Sequence, residues 1–275
     1  MLQIDDFFQP ELTELNRLPS RAPLVPYRSA EDARADGESP WRRSLDGDWR
    51  FRLVGRPDAA PPRWMNPVTS DDRWDTITVP GVWTRQGQSD LPHYTNIVMP
   101  WPDLDPPQVP DENPTGLYRT TFRVPRSWSS RRIVVHLGGV ESLAVVWCNG
   151  AFVGMGKDSR LPSEFDLTPY LVEGDNLLAV MAIRYCDATW IEDQDHWWHA
   201  GIHRSCFIEA RAISRIDDLV VSADFDPATE TGSLRIVANL AGAAGAVRVS
   251  LETERGRKLA GPVEAPLGSR PDPDH

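Results

Sequence analysis

Apolar and polar residues alternate with a period of two along most of this chain, the signature of half-buried strands. Trp49, Phe51 and Leu53 alternate after an Asp46-Gly47 turn, and residues 76–79 are β-branched and closed by Pro80. Further strands are predicted at 117–124, 132–137 and 205–212. The clearest local signal is Asn149-Gly150 between the apolar runs 141–148 and 151–155. Asn-Gly is the dipeptide of a type I′ hairpin, because both turn residues need positive φ. Residues 176–185 are apolar on both faces, which predicts a central strand. Helical periodicity is scarce. Leu12, Leu15 and Leu18 fit one face of a short turn over 11–18, and Ser29 opens a Ser-x-x-Asp capping box for a second turn at 29–34.

Many short strands without alternating helices predict an all-β chain. We read residues 1–40 as an extended N-terminal arm and 41–214 as a jelly-roll sandwich. Residues 215–275 read as an immunoglobulin-like β-sandwich, with clean alternation at 219–225, 233–240 and 246–252. Three strands are fewer than the roughly seven of a closed immunoglobulin-like sandwich, so this second domain is expected to be incomplete and the chain a fragment.

Composition narrows the function. A net charge of −11 argues against nucleic acid, which demands clustered Lys and Arg. No run approaches the ~18 apolar residues of a membrane span. The first residues lack the basic and apolar regions of a secretory signal. Cys148, Cys186 and Cys206 are odd in number and without metal-type spacing. They read as reduced thiols of a cytoplasmic protein. The 25 prolines imply many turns, and the 11 tryptophans imply a large aromatic core.

Chemistry concentrates in residues 190–204, which hold three tryptophans, three histidines and three carboxylates. Buried carboxylates are costly unless paired, and aromatic faces beside carboxylates suit sugars, which are apolar on a face and polar at the edge. The polar loop 84–116, with Tyr94 and Trp101, is long enough to suggest function. His196, His199 and His203 would share a zinc-binding face only on a helix, which Gly201 and the β-rich context disfavour. Arg160 with Glu164 and Asp166 reads as a charge network beneath the site. Trp49, Trp83 and Trp147 read as core. Trp190, Trp197 and Trp198 divide between core, sugar platform and domain interface. On the residues alone, Asp195 could equally cap a backbone N–H, and Asn96 could close an Asx turn.

Several segments together resemble the N-terminal part of glycoside hydrolase family 2, in its bacterial β-galactosidase branch. They are Leu15-Asn-Arg-Leu18, Arg43-Ser-Leu-Asp-Gly-Asp-Trp-Arg-Phe51, Tyr94-Thr-Asn96, Glu112-Asn-Pro-Thr-Gly116 and Trp147-Cys-Asn-Gly150, followed by Asp158-Ser-Arg-Leu-Pro-Ser-Glu-Phe-Asp166, Glu192-Asp-Gln-Asp195 and Gly201-Ile-x-Arg204. The resemblance implies a jelly-roll sugar-binding domain, an immunoglobulin-like domain and a catalytic barrel, of which this chain spans the first and part of the second. It implies that Asp195 reaches the active site of the barrel, binds galactose hydroxyls and helps hold a sodium ion, and that Asn96 contacts the sugar with Ile97 beside it. It further implies a magnesium-type cation site drawing on Asp187, Asn16 and the position of Lys157. There a lysine ammonium, which only donates, replaces the Gln found in similar members.

Retaining glycoside hydrolysis needs two carboxylates ~5–5.5 Å apart. In this family the acid/base glutamate follows an asparagine, and the chain holds no Asn-Glu dipeptide. The expectation is therefore the sugar-binding portion of an enzyme acting on β-galactosides such as lactose, without turnover of its own. Its partners would be the missing barrel and, through the arm, further copies in a homo-oligomer. A free-standing carbohydrate-binding module and a structural or oligomerisation domain are the alternatives.

Overall fold

The computed structural model describes residues 4–95, 98–192, 194–242 and 246–266. These divide into two compact units, one of residues 4–20 and 27–210, the other of 21–26 and 211–266.

The first unit is an antiparallel β-sandwich. Its larger sheet runs in the order Glu14–Leu15, Ala151–Lys157, Leu143–Cys148, Asp175–Ile183, Thr115–Arg123, Gly47–Val54, Asp75–Val79. The smaller sheet runs Ser163–Asp166, Arg132–Leu137, Cys206–Arg211, Arg42–Ser44. The doubly apolar strand Asp175–Ile183 lies at the middle of the larger sheet, as its pattern predicts. The pleat sends Leu178, Val180 and Ala182 into the inter-sheet core with Val135, Phe165 and Ile208. It sends Ala179, Met181 and Ile183 to the opposite face, where Phe7, Trp64 and Trp74 cover them. That second apolar layer is why the strand carries no polar face. The Asn149-Gly150 hairpin forms as read, with both residues at positive φ (52° and 84°).

The arm departs from its local pattern. Ser29 caps the short helix Ala30–Arg34 as expected, its side chain accepting from Asp32 N at 3.1 Å. The predicted turn over 11–18 is instead a short strand, Glu14–Leu15, paired with the edge strand Ala151–Lys157. An unpaired sheet edge supplies backbone partners that an isolated helical turn cannot match. Gly154 makes the approach possible, since a Cβ there would lie 2.5 Å from Leu15 O.

The second unit contains two hairpins among its described residues: Arg215–Asp226 with Thr231–Ala241, and Ala246–Glu252 with Lys258–Pro266. The three strands read from the alternation are present. The fourth was hidden by Gly261 and Pro262, which interrupt its pattern and coincide with a shifted register. The fold class is thus all-β throughout: a jelly-roll-type sandwich followed by strands of an immunoglobulin-like β-sandwich.

Candidate functional site

The stretch 190–204 lies along one rim of the first unit. The 3₁₀ turn Asp187–Trp190 follows the central strand, Trp197–Trp198 pairs with His93–Tyr94, and Gly201–Ile202 is the middle strand of a small sheet with Gly81–Val82 and Val140–Glu141. Gly201 is required there. Its φ is +129°, and a Cβ would meet Tyr118 Oη at 2.9 Å and Gly81 O at 3.0 Å.

The pleat of Trp197–Trp198 sends the two indoles to opposite sides. Trp198, 5% exposed, lies 5.9 Å from Trp101, which also packs edge-on against Tyr185 at 4.7 Å and Trp190 at 5.6 Å. Trp190 Nε1 donates to Gln108 O at 2.7 Å. Trp101 and Gln108 come from the long loop, so the loop is clamped to the rim through an aromatic cluster. Trp197, 57% exposed, tilts against Tyr94, which is 52% exposed, at 5.7 Å between ring centroids. The Tyr94 hydroxyl donates to Asp195 Oδ1, and this bond raises the pKa of the phenol, keeping it protonated as donor. Asp195 therefore sits at the hydroxyl end of an exposed tyrosine whose ring packs against an exposed tryptophan. Asn96 and Ile97 lie outside the described residues.

Beneath this rim runs a polar network different from the one expected. Arg160 binds Glu141, at 3.0 and 3.4 Å, and His196 Nε2 at 3.0 Å. Glu164 instead pairs with His136 at 3.0 Å, and Asp166 with Arg132 at 2.7 Å. The strand Ser163–Asp166 lies beside Arg132–Leu137, which brings those carboxylates to other partners. Glu192 accepts from the Ser159 amide at 3.1 Å and hydroxyl at 2.5 Å, joining the loop before Asp195 to the residue next to Arg160. A cavity of ≈ 20 Å³ lies among Glu141, Arg160, Arg184, Glu192 and His196, room for about one water. The buried Arg184 guanidinium pairs with Asp90, whose other oxygen accepts from Trp83 Nε1 at 2.7 Å. A larger cleft of ≈ 600 Å³, lined by Arg52, Trp74, Asp90, His93 and Glu112, opens nearby but does not include Asp195.

The three histidines have separate partners, His196 facing Arg160. His199 Nδ1 faces Thr84 Oγ1 at 3.0 Å, and His203 Nε2 faces Ser159 O at 2.7 Å. Burial lowers the pKa of both, favouring neutral rings. All three cysteines are free and buried, and burial pushes the Cys186 thiol up to about 11 and Cys148 to about 12. Inert packing, not nucleophilic chemistry, is their role.

Residues 42–211 match the family model described as glycosyl hydrolases family 2, sugar binding domain. The chain belongs to glycoside hydrolase family 2. A β-galactosidase of Erwinia tasmaniensis is 43% identical over 83% of this chain and 22% of its own length. One of Psychromonas ingrahamii is 40% identical over 87% and 23%. The chain thus spans under a quarter of the length of these relatives. The fold matches a β-glucuronidase from an uncultured Clostridium (TM-score 0.62, 19% identity, covering 84% of this chain and 39% of that one). It matches equally a Ruminococcus gnavus β-glucuronidase in complex with uronic deoxynojirimycin (TM-score 0.61, 18% identity, covering 83% and 39%).

The two cation sites that the family resemblance implies fare differently. Among the described residues no group of three or more His, Cys, Asp or Glu could hold a metal. Asp195 suits a single oxygen ligand to a sodium ion completed by other groups. At the second site the residues do not fit a metal. Lys157 Nζ sits 2.6 Å from Asp187 Oδ1 and 2.7 Å from Gln9 O, and Asn16 spends its amide on Val153 O at 2.9 Å.

Sequence reasoning missed Trp101 as the centre of the aromatic clamp, and missed Glu141 and Glu192 as the rim's charge partners. In the sequence, Trp101 stands out only as part of a loop of unusual length. The carboxylates are 19 and 33 residues from Arg160 and Ser159, separations that no local pattern encodes.

Proposed function

We propose that this chain supplies one wall of a galactoside subsite in a β-galactosidase, and that it does not itself turn substrate over. The observation that carries the reading is the exposed Tyr94–Asp195–Trp197 group, seated on a buried aromatic and ionic foundation in a family 2 sugar-binding domain whose relatives are β-galactosidases. A carboxylate accepts from two sugar hydroxyls, or from one while ligating sodium. The tilted aromatic faces beside it cover the apolar side of a pyranose. Asn96, two residues after Tyr94, would add a group that both donates and accepts. Hydrolysis would come from a carboxylate pair on the family's barrel. Incubating the chain with a chromogenic β-galactoside should release no more product than buffer does; sustained turnover refutes the assignment.

The exposure of Tyr94 and Trp197 also favours a second reading, a carbohydrate-binding module acting alone. Titration calorimetry with galactose separates the two. Millimolar or tighter binding by the chain supports the module, and silence supports a subsite completed by the barrel.

A further inference from the structure

We propose that the Lys157 ammonium takes the place of a divalent cation as the internal counter-charge that pins the N-terminal arm, so that docking of the arm is independent of divalent metal. Asp187 is partly buried at the start of the 3₁₀ turn that leads to Trp190, and its carboxylate is 11% exposed. A carboxylate in that setting needs a cation or several donors. Lys157, its side chain 2% exposed at the end of the strand Ala151–Lys157, provides the cation at 2.6 Å.

The same ammonium donates to Gln9 O at 2.7 Å, and the backbone N–H of Lys157 donates to Thr13 O at 3.0 Å. One residue therefore ties together the arm, the larger sheet and the turn that opens the rim. Asn16, at φ 56°, reinforces the same seam by donating to Val153 O. A metal ion would have to share Asp187 with a positive charge already within contact distance. An ammonium has no lone pair to offer it, and two like charges in a poorly solvated site repel strongly.

The test uses the whole chain and reads hydrogen exchange of the Lys157 amide together with the thermal midpoint, in excess EDTA and in millimolar MgCl2. Wild type should give the same protection and the same midpoint in both. Lys157→Gln, which restores a neutral oxygen donor, should lose at least about tenfold in protection in EDTA and regain it in MgCl2. Lys157→Met should lose as much and regain nothing. Magnesium-dependent protection in wild type, undiminished protection of Lys157→Gln in EDTA, or its failure to recover in MgCl2 would each overturn the proposal. Should Lys157→Gln fail to fold in EDTA, refolding it in MgCl2 alone supports the idea, and failure in both sinks it.

Discussion

Trp197 and Trp198 are adjacent in sequence, on one two-residue strand, and have opposite fates. Trp198 is buried against Trp101 and Tyr185, while Trp197 stands exposed against Tyr94, whose hydroxyl donates to Asp195. Composition cannot separate them, and neither can proximity to the carboxylates. The strand pleat does. One indole holds the rim to the body and the other presents a face to whatever approaches, so the Trp-rich stretch is both foundation and surface.

The buried indole carries the larger energetic weight. Trp198→Ala removes the buried indole that packs against Trp101 and Tyr185 and should cost about 3–5 kcal/mol, measured by denaturant unfolding. A loss under ~1 kcal/mol would mean that the clamp is not structural. Next is the ionic foundation. Glu141→Gln leaves Arg160 with a weaker partner, and since Arg160 is 39% exposed, solvent screening limits the cost to about 1–2 kcal/mol.

A smaller effect comes from pH. His203 is held below the ordinary histidine value of 6.5, burial being the main cause. With its folded pKa depressed, the unfolded state takes up the proton first as pH falls. Stability is therefore full above 6.5 and declines as pH drops from there through the lower folded value. His203→Gln should flatten the slope of the thermal midpoint in that window, and an unchanged slope would remove His203 from the account. Smallest of all, Trp197→Ala should change stability by no more than about 0.5 kcal/mol, because the indole buries little.

Much of the fold was legible because the pleat repeats it at every second residue. Asn149-Gly150 announced its hairpin, and the unbroken apolar run 176–185 announced a strand covered on both faces. The misreadings share a cause. The leucines at 12, 15 and 18 fit a helix locally, but Glu14–Leu15 pairs with a strand about 140 residues away. Glu164 and Asp166 are near Arg160 in sequence and read as its partners, whereas its actual partners Glu141 and His196 arrive from other strands and loops. Pro262 concealed a strand by breaking its alternation. Asp195 and Tyr94 were each visible as residues of a motif, but their hydrogen bond joins positions 101 apart and belongs to the tertiary fold alone.

In the function we propose, Asp195 on the exposed face binds the sugar, and the aromatic and ionic layer behind it holds that face in place. The direct measurement is kcat/KM for a chromogenic β-galactoside, in a protein joining this chain to a family 2 catalytic barrel, with and without Asp195→Asn. Losing the charged acceptor should lower kcat/KM on the order of a hundredfold, with the thermal midpoint unchanged. Activity preserved by Asp195→Asn, or lost only in step with stability, would contradict the account.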